Sequence, residues 1–135
     1  MDYTIQIRQS SQAAALLRDH IGDIDHEELW GLFLNGQGNL ISGEMLTKGT
    51  LSFTAIDART ILKRALLKNA TAVIIAHNHP SGNPKPSVND INETDRVRAA
   101  CKLLDVELID HLILTADRYY SFADEMTTLF QSAKH

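Results

Sequence analysis

Apolar and polar positions along the chain follow periods that change several times, and each change marks an element. Between Ser10 and Ile21 the apolar residues Ala13, Ala14, Leu16, Leu17 and Ile21 have roughly helical spacing. The pattern predicts a helix capped by Ser10 or Ser11 and stopped at Gly22. Glu28–Leu34 and Leu40–Leu46 then flank Asn35-Gly36-Gln37-Gly38-Asn39, a run tolerant of positive φ, which predicts a β-hairpin with a longer-than-minimal turn. Leu51–Ile56 predicts a further strand. Asp57 can cap a helix reaching about Lys68, with Ile61, Leu62, Ala65 and Leu66 as its inward stripe. Thr71–Ala76 is short, β-branched and apolar on both faces, as a central strand should be. His77–Pro86 reads as a loop with three prolines and a glycine. Ser87 opens a second long helix to about Leu104, Val106–Leu114 is an apolar strand, Tyr119–Phe122 a short one, and Ala123–Phe130 a final helix. This order fits an α/β fold, a mixed sheet with helices packed on it.

The 135 residues suit one domain spanning 1–135, with no internal repeat or interdomain linker. Cys101 is the only cysteine, which excludes an internal disulfide and argues for a reducing, cytoplasmic setting. The N-terminus lacks the pattern of a secretory signal, and no apolar run is long enough to span a membrane. A net charge of −4 does not ask for nucleic acid. The one basic candidate is Arg59, Lys63, Arg64 and Lys68, spaced to share a helical face and read as a solvated surface in preference to a phosphate-contacting patch. An exposed hairpin edge could pair two copies into a homodimer.

The chemistry concentrates in His77-Asn78-His79-Pro80-Ser81-Gly82-Asn83-Pro84-Lys85-Pro86-Ser87-Val88-Asn89-Asp90. Histidines at i and i+2 point to the same side of an extended chain, so both imidazoles can converge on one ion. Asp90 falls in the first turn of the predicted helix, where the helix dipole favours a carboxylate. Two imidazoles and a carboxylate suit zinc at about 2.0–2.2 Å, and three protein ligands leave the open position of a catalytic site. Ser87-x-x-Asp90 is also an ordinary capping box, and the two roles are compatible. Amide cleavage needs a proton-moving group besides the metal. Glu44, in the otherwise uncharged run Leu40–Leu46, is either solvent-facing or aimed into the site. His111 is expected to be a structural, hydrogen-bonded histidine in preference to a fourth ligand. Cys101, Trp30 and Phe33 are expected to pack in the core, and His20, His26 and His135 to lie on the surface.

The motif His77-x-His79-Pro80-x6-Ser87-x2-Asp90 resembles that of the JAMM (MPN-plus, or JAB) metalloproteases. The fuller run His-Asn-His-Pro-Ser-Gly-x-Pro-x-Pro-Ser-x-x-Asp is similar to the RadC branch of that group. Glu44-Met45-Leu46-Thr47-Lys48-Gly49-Thr50, Arg64-Ala65-Leu66, Asn69-Ala70 and Asp110-His111-Leu112-Ile113 resemble flanking signatures, so the likeness runs from about Leu29 to Phe122. It implies an α-β-α sandwich with cytidine-deaminase-like layer order. It also implies one Zn2+ per chain held by His77, His79 and Asp90, with Glu44 as the acid/base and Ser87 as an oxyanion donor. The activity implied is a zinc metallopeptidase or isopeptidase acting on a peptide or protein amide. The alternative is a non-catalytic module of DNA repair or mobile-element biology. Two features depart from the family. Nothing here encodes a helix-hairpin-helix region, and the usual Pro-Arg-Glu reads Asp57-Ala58-Arg59-Thr60.

Overall fold

In a computed structural model describing residues 5–21, 24–49 and 56–126, the chain forms four helices and five strands among the described residues. In order these are α1 (Ser10–Ile21), β1 (Glu28–Leu34), β2 (Leu40–Lys48), α2 (Ala58–Leu67) and β3 (Ala72–Asn78). They continue as α3 (Val88–Leu103), β4 (Glu107–Leu114), β5 (Tyr119–Ser121) and α4 (Phe122–Glu125). The strands make one sheet in the order β2-β1-β3-β4-β5. β1 runs antiparallel to both β2 and β3, β3 and β4 are parallel, and β4 turns back antiparallel into β5. A parallel pair needs a crossover, and α3 supplies it.

β3 is the middle strand, and all seven of its residues are buried. Alternation sorts them into two layers. Ala72, Ile74 and Ala76 pack with Ala13, Ala14, Leu17 and Ile21 of α1. Val73 and Ile75 pack with Ile61 and Ala65 of α2 and with Val97 and Cys101 of α3. A strand covered on both faces must be apolar throughout, which explains the run Ala-Val-Ile-Ile-Ala. The result is the expected α-β-α arrangement on a mixed sheet. Cys101 and Phe33 are core residues, and burial pushes the Cys101 thiol up to about 11, so it packs and does not react.

α2 and α3 end alike. Lys68 and Leu104 cap them, and Asn69 (φ 54°) and Asp105 (φ 57°) turn the chain in the left-handed region. The amides of Ala70 and Val106 then donate to Ala65 O and Cys101 O, each at 2.9 Å. This is the Schellman arrangement, with Asn and Asp standing where glycine is usual. Both helices thus hand the chain to β3 and β4 at one end of the sheet. The carboxyl ends of these two parallel strands lie at the other end. There antiparallel β1 begins, and there α3 starts.

Some boundaries differ from those the pattern predicts. β3 runs two residues past the apolar stretch because pairing continues through His77 with Leu29 of β1 and through Asn78 with Leu114 of β4. His77 is therefore a strand residue, not the start of a loop. β2 extends to Lys48, and residues 5–7 lie along its start through Gln6↔Asn39 and a 2.7 Å bond from Leu40 N to Ile5 O. Gly22, residues 51–55 of the expected strand, residues 127–130 of the final helix, and His135 lie outside the described residues. Among the described residues no helix is long and apolar enough to cross a membrane.

Candidate metal centre

Three elements deliver three donor groups to one point. His77 is the penultimate residue of β3, His79 follows that strand directly, and Asp90 sits in the first turn of α3. The amide of His79 still donates to Leu114 O at 2.9 Å, so both histidines stand on the last rungs of the sheet. His77 Nε2 and His79 Nε2 are 3.1 Å apart. Asp90 Oδ1 lies 3.5 Å from His77 Nε2, and Asp90 Oδ2 lies 3.4 Å from His79 Nε2. An ion binding tetrahedrally at about 2.0–2.2 Å holds its ligand atoms roughly 3.3–3.5 Å apart. The three donors therefore already have the spacing of a metal site. Of the described residues, these three form the group of His, Cys, Asp and Glu side chains close enough to hold a metal ion.

The hydrogen bonds behind the histidines fix which nitrogen faces the site. Thr94 Oγ1 donates to Asp90 O at 2.6 Å, so its one hydrogen is committed. It must accept from His111 Nδ1, also at 2.6 Å. Neutral His111 then has only Nε2 as an acceptor, and His77 Nδ1–H donates to it at 2.7 Å. His79 Nδ1–H donates to Asn83 O at 2.9 Å. Both liganding rings consequently present the bare lone pair of Nε2 to the centre. Burial pushes His77 down to about 4, against the Asp90 charge, and drives His111 well below its ordinary value, so both rings are neutral at pH 7. With His79 neutral, two lone pairs and a carboxylate facing each other at such distances repel unless a cation lies between them; without a metal, a proton on His79 Nε2 bonded to Asp90 fills that role. The donor set fits a metal ion.

His111 thus behaves as the structural histidine expected. Its ring also stacks on Phe122 of α4, with centroids 4.7 Å apart and planes 5° from parallel. Thr94→Val keeps the side-chain shape but removes the acceptor for His111 Nδ1–H. The His111 tautomer then inverts, His77 Nδ1 becomes the acceptor, and a proton moves onto His77 Nε2. Metal affinity should fall by about 10–100-fold, the usual effect of losing an outer partner, although Thr94 touches no ion. Chelator competition measures this.

Protonation of the centre has a defined order. Burial lowers His79, but its bond to the Asp90 carboxylate, its bond to Asn83 O and the charges of Asp90 and Glu27 outweigh that, leaving it raised above 6.5. Burial raises Asp90, yet hydrogen bonds from His79 and Ser87 and the His77 charge hold it well below the usual carboxylate range. His79 is therefore the first ligand to take a proton as pH falls. Metal affinity should be level above the raised His79 value and fall about tenfold per pH unit below it. The metal-free protein should show the opposite trend. There the His79 contribution to stability is complete below the unfolded value of 6.5 and is lost as pH rises through the raised folded value. Chelator competition and thermal melts between pH 5 and 8 read the two trends.

Ser87 is the N-cap of α3. Its Oγ accepts from Asp90 N at 3.0 Å, while Asp90 Oδ2 accepts from Ser87 N at 2.8 Å, a reciprocal capping box. The capping bond uses an oxygen lone pair, so the Ser87 hydroxyl keeps its hydrogen as a donor, and its bond helps to hold the Asp90 charge.

Glu44, expected from the family likeness as the acid/base, is engaged by two cations. Its carboxylate bonds Arg64 Nε at 2.5 Å and Lys68 Nζ at 3.1 Å, and these two cations hold it below its ordinary value. Arg64 and Lys68 belong to the end of α2, which feeds the start of β3, whereas His77 stands at the finish of β3. Glu44 also lies two strands away, opposite Gly31, which in turn faces Ile75. It shares a face of the sheet with His77, but its two ion pairs hold it to the end of α2. The basic face is divided by the same contacts: Arg64 and Lys68 serve Glu44, and Arg59 and Lys63 are exposed.

Another carboxyl stands at the right end of the sheet. Glu27 precedes β1, whose first rungs pair with the last of β3. Burial raises its carboxyl, the His79 charge lowers it, and the Asp90 charge raises it further. It thus shares a field with two of the three donors. Glu28 points the other way, accepting from His26 Nε2 at 2.7 Å, in the protonated tautomer, and from Trp30 Nε1 at 2.9 Å. The composition of the Glu27 segment gave no signal. Its position follows only from β1 running antiparallel to the strand that carries His77.

Comparisons with known proteins agree with this geometry. Residues 7–127 match the family model described as a RadC-like JAB domain. A UPF0758 protein of Flavobacterium johnsoniae is 42% identical over 120 residues, covering 89% of this chain and 52% of that protein. One from Porphyromonas gingivalis is 45% identical over 120 residues, 88% of this chain and 53% of the relative. UPF0758 protein YeeS of Escherichia coli is 43% identical over 105 residues, 78% of this chain and 71% of the relative. The chain thus spans about half the length of several of the curated relatives it matches. A His77–His79–Asp90 centre on an α-β-α sandwich and a family match over most of its length place this chain in the RadC-like JAB-domain family.

Proposed function

We propose that this protein is a zinc-dependent hydrolase of amide bonds, acting on a peptide, an isopeptide or a related protein amide. The observation that carries the reading is the convergence of His77 Nε2, His79 Nε2 and Asp90 at tetrahedral spacing, with the Glu27 carboxyl in the same field. Zinc suits a site of two neutral imidazoles and one carboxylate, and three protein ligands leave a position open. The ion would supply Lewis acidity, polarising an amide carbonyl and making a water molecule nucleophilic near neutral pH.

The chain's own residues do the rest. Glu27 takes the proton from the attacking water and returns it to the departing amine, a role suited to a carboxyl raised by burial. Ser87 donates its hydroxyl hydrogen to the developing oxyanion, while the capping bond to Asp90 N holds its oxygen in place. The Thr94–His111–His77 chain keeps the ligand tautomer fixed throughout.

The test is a panel of peptide and isopeptide amides incubated with zinc-loaded protein, with chelator and Glu27→Gln controls. Chelator-sensitive cleavage absent from Glu27→Gln supports the reading. Stoichiometric zinc with no cleavage of any amide, together with salt-dependent DNA affinity, favours the non-catalytic module instead.

A further inference from the structure

Asn78 lies between the two histidines in sequence, yet its side chain takes no part in the metal centre. Alternation along β3 sends it to the opposite side from His77, where it is buried to 1% exposure. There it reaches across to the segment that enters β1. Asn78 Nδ2 donates to His26 O at 2.8 Å, and Asn78 Oδ1 accepts from Glu28 N at 2.8 Å. The residue between those two anchor points is Glu27. Its own carbonyl accepts from Gly49 N at 2.9 Å. Residues 26, 27 and 28 are thus each tied by one backbone bond, two of them to a single amide.

We infer that Asn78 is a positioning residue that sets where Glu27 stands relative to the metal ligands. The inference rests on the reading of Glu27 as the acid/base. The physical case is one of geometry. His77 and His79 are fixed by the sheet, whereas Glu27 precedes the first rung of β1 and has no ladder partner of its own among the strand pairs. Its place against the histidines therefore rests on the Gly49 bond and on the two Asn78 bonds that flank it. Asn is suited to this place because one planar group offers a donor and an acceptor together. Aspartate could accept from Glu28 N but would set a carboxylate against His26 O. Alanine would leave a buried N–H and a buried C=O without their partner.

The test is a double-mutant cycle on zinc affinity, using the full chain and competition with a chromophoric chelator. Glu27→Gln removes a negative charge near the ion and should weaken zinc binding by about tenfold. Asn78→Ala should weaken it by a similar factor, because the carboxylate is no longer held there. The double variant should be no weaker than the weaker-binding single one. Exchange of the Glu28 amide, slow in the wild type, should accelerate at least tenfold in Asn78→Ala. If Asn78→Ala does not fold, Asn78→Ser takes its place in the cycle. An unchanged affinity in the Asn78 variant, or multiplied effects in the double variant, overturns the inference and leaves the role of Glu27 standing. An unchanged affinity in Glu27→Gln alone removes Glu27 from the site and overturns the functional reading itself.

Discussion

Untagged protein purified without chelator should carry about one zinc per chain by elemental mass spectrometry, and His79→Ala should carry almost none. A fully ligated zinc site is worth about 10–16 kcal/mol of binding free energy, or on the order of 3 kcal/mol for each ligand. Loss of one ligand therefore weakens binding by about a hundredfold or more. In His79→Ala the other two donors remain, but His77 Nε2 and one carboxylate cannot enclose an ion against bulk water. The fold should survive the change, because the sheet holds this position through the backbone bond from His79 N to Leu114 O. Zinc should also raise the melting temperature of the wild type, since only the folded chain brings β3 and α3 together. A well-folded wild type that holds no zinc, even when zinc is supplied, would sink the metalloenzyme reading.

The two glutamates should separate cleanly. Glu27→Gln should keep stoichiometric zinc while turnover of a cleavable amide falls by about 10²–10⁴-fold, the usual loss when a general acid/base is removed. Glu44→Gln should leave turnover close to wild type. It weakens a partly exposed ion pair with Arg64 and Lys68, so the expected change in stability is within about 1 kcal/mol. Steady-state kinetics and thermal melts on the two variants make the comparison. The reverse result, an inactive Glu44→Gln beside an active Glu27→Gln, would return Glu44 to the role that its family likeness implied.

This contrast shows where sequence reasoning stopped. The JAMM-like motif calls for an upstream glutamate but does not say how far upstream. Glu44 stands out because its neighbours in Leu40–Leu46 carry no charge. Glu27 hides in the acidic run Asp23-Ile24-Asp25-His26-Glu27-Glu28, where any one carboxylate looks like solvated surface. Choosing between them requires the direction in which β1 passes β3. That direction depends on long-range pairing, on which a local pattern carries no information. The same limit applies to His111. Its burial in an apolar strand was legible, but the chain from Thr94 through His111 to His77 joins β4, α3 and β3 and has no local signature.

The sequence by itself determined the order of the elements among the described residues, because each element writes its period locally: 3.6 residues for a helix face, two for a half-buried strand, a continuous apolar run for a central one. It also marked the three donors that the structure brings together, since i and i+2 histidines beside a capped helix converge by local geometry. Asp57 and Ser87 cap the helices the pattern assigned to them. Only the tertiary structure decided that Glu44 pairs with Arg64 and Lys68, which histidine nitrogen faces the centre, and that the Asn78 amide holds the entry to β1. Each of these is a contact across about 20 to 50 residues of chain, fixed when the strands take their register and helices close over both faces. The strand period places a side chain on a face; the pairing of strands decides what it meets there.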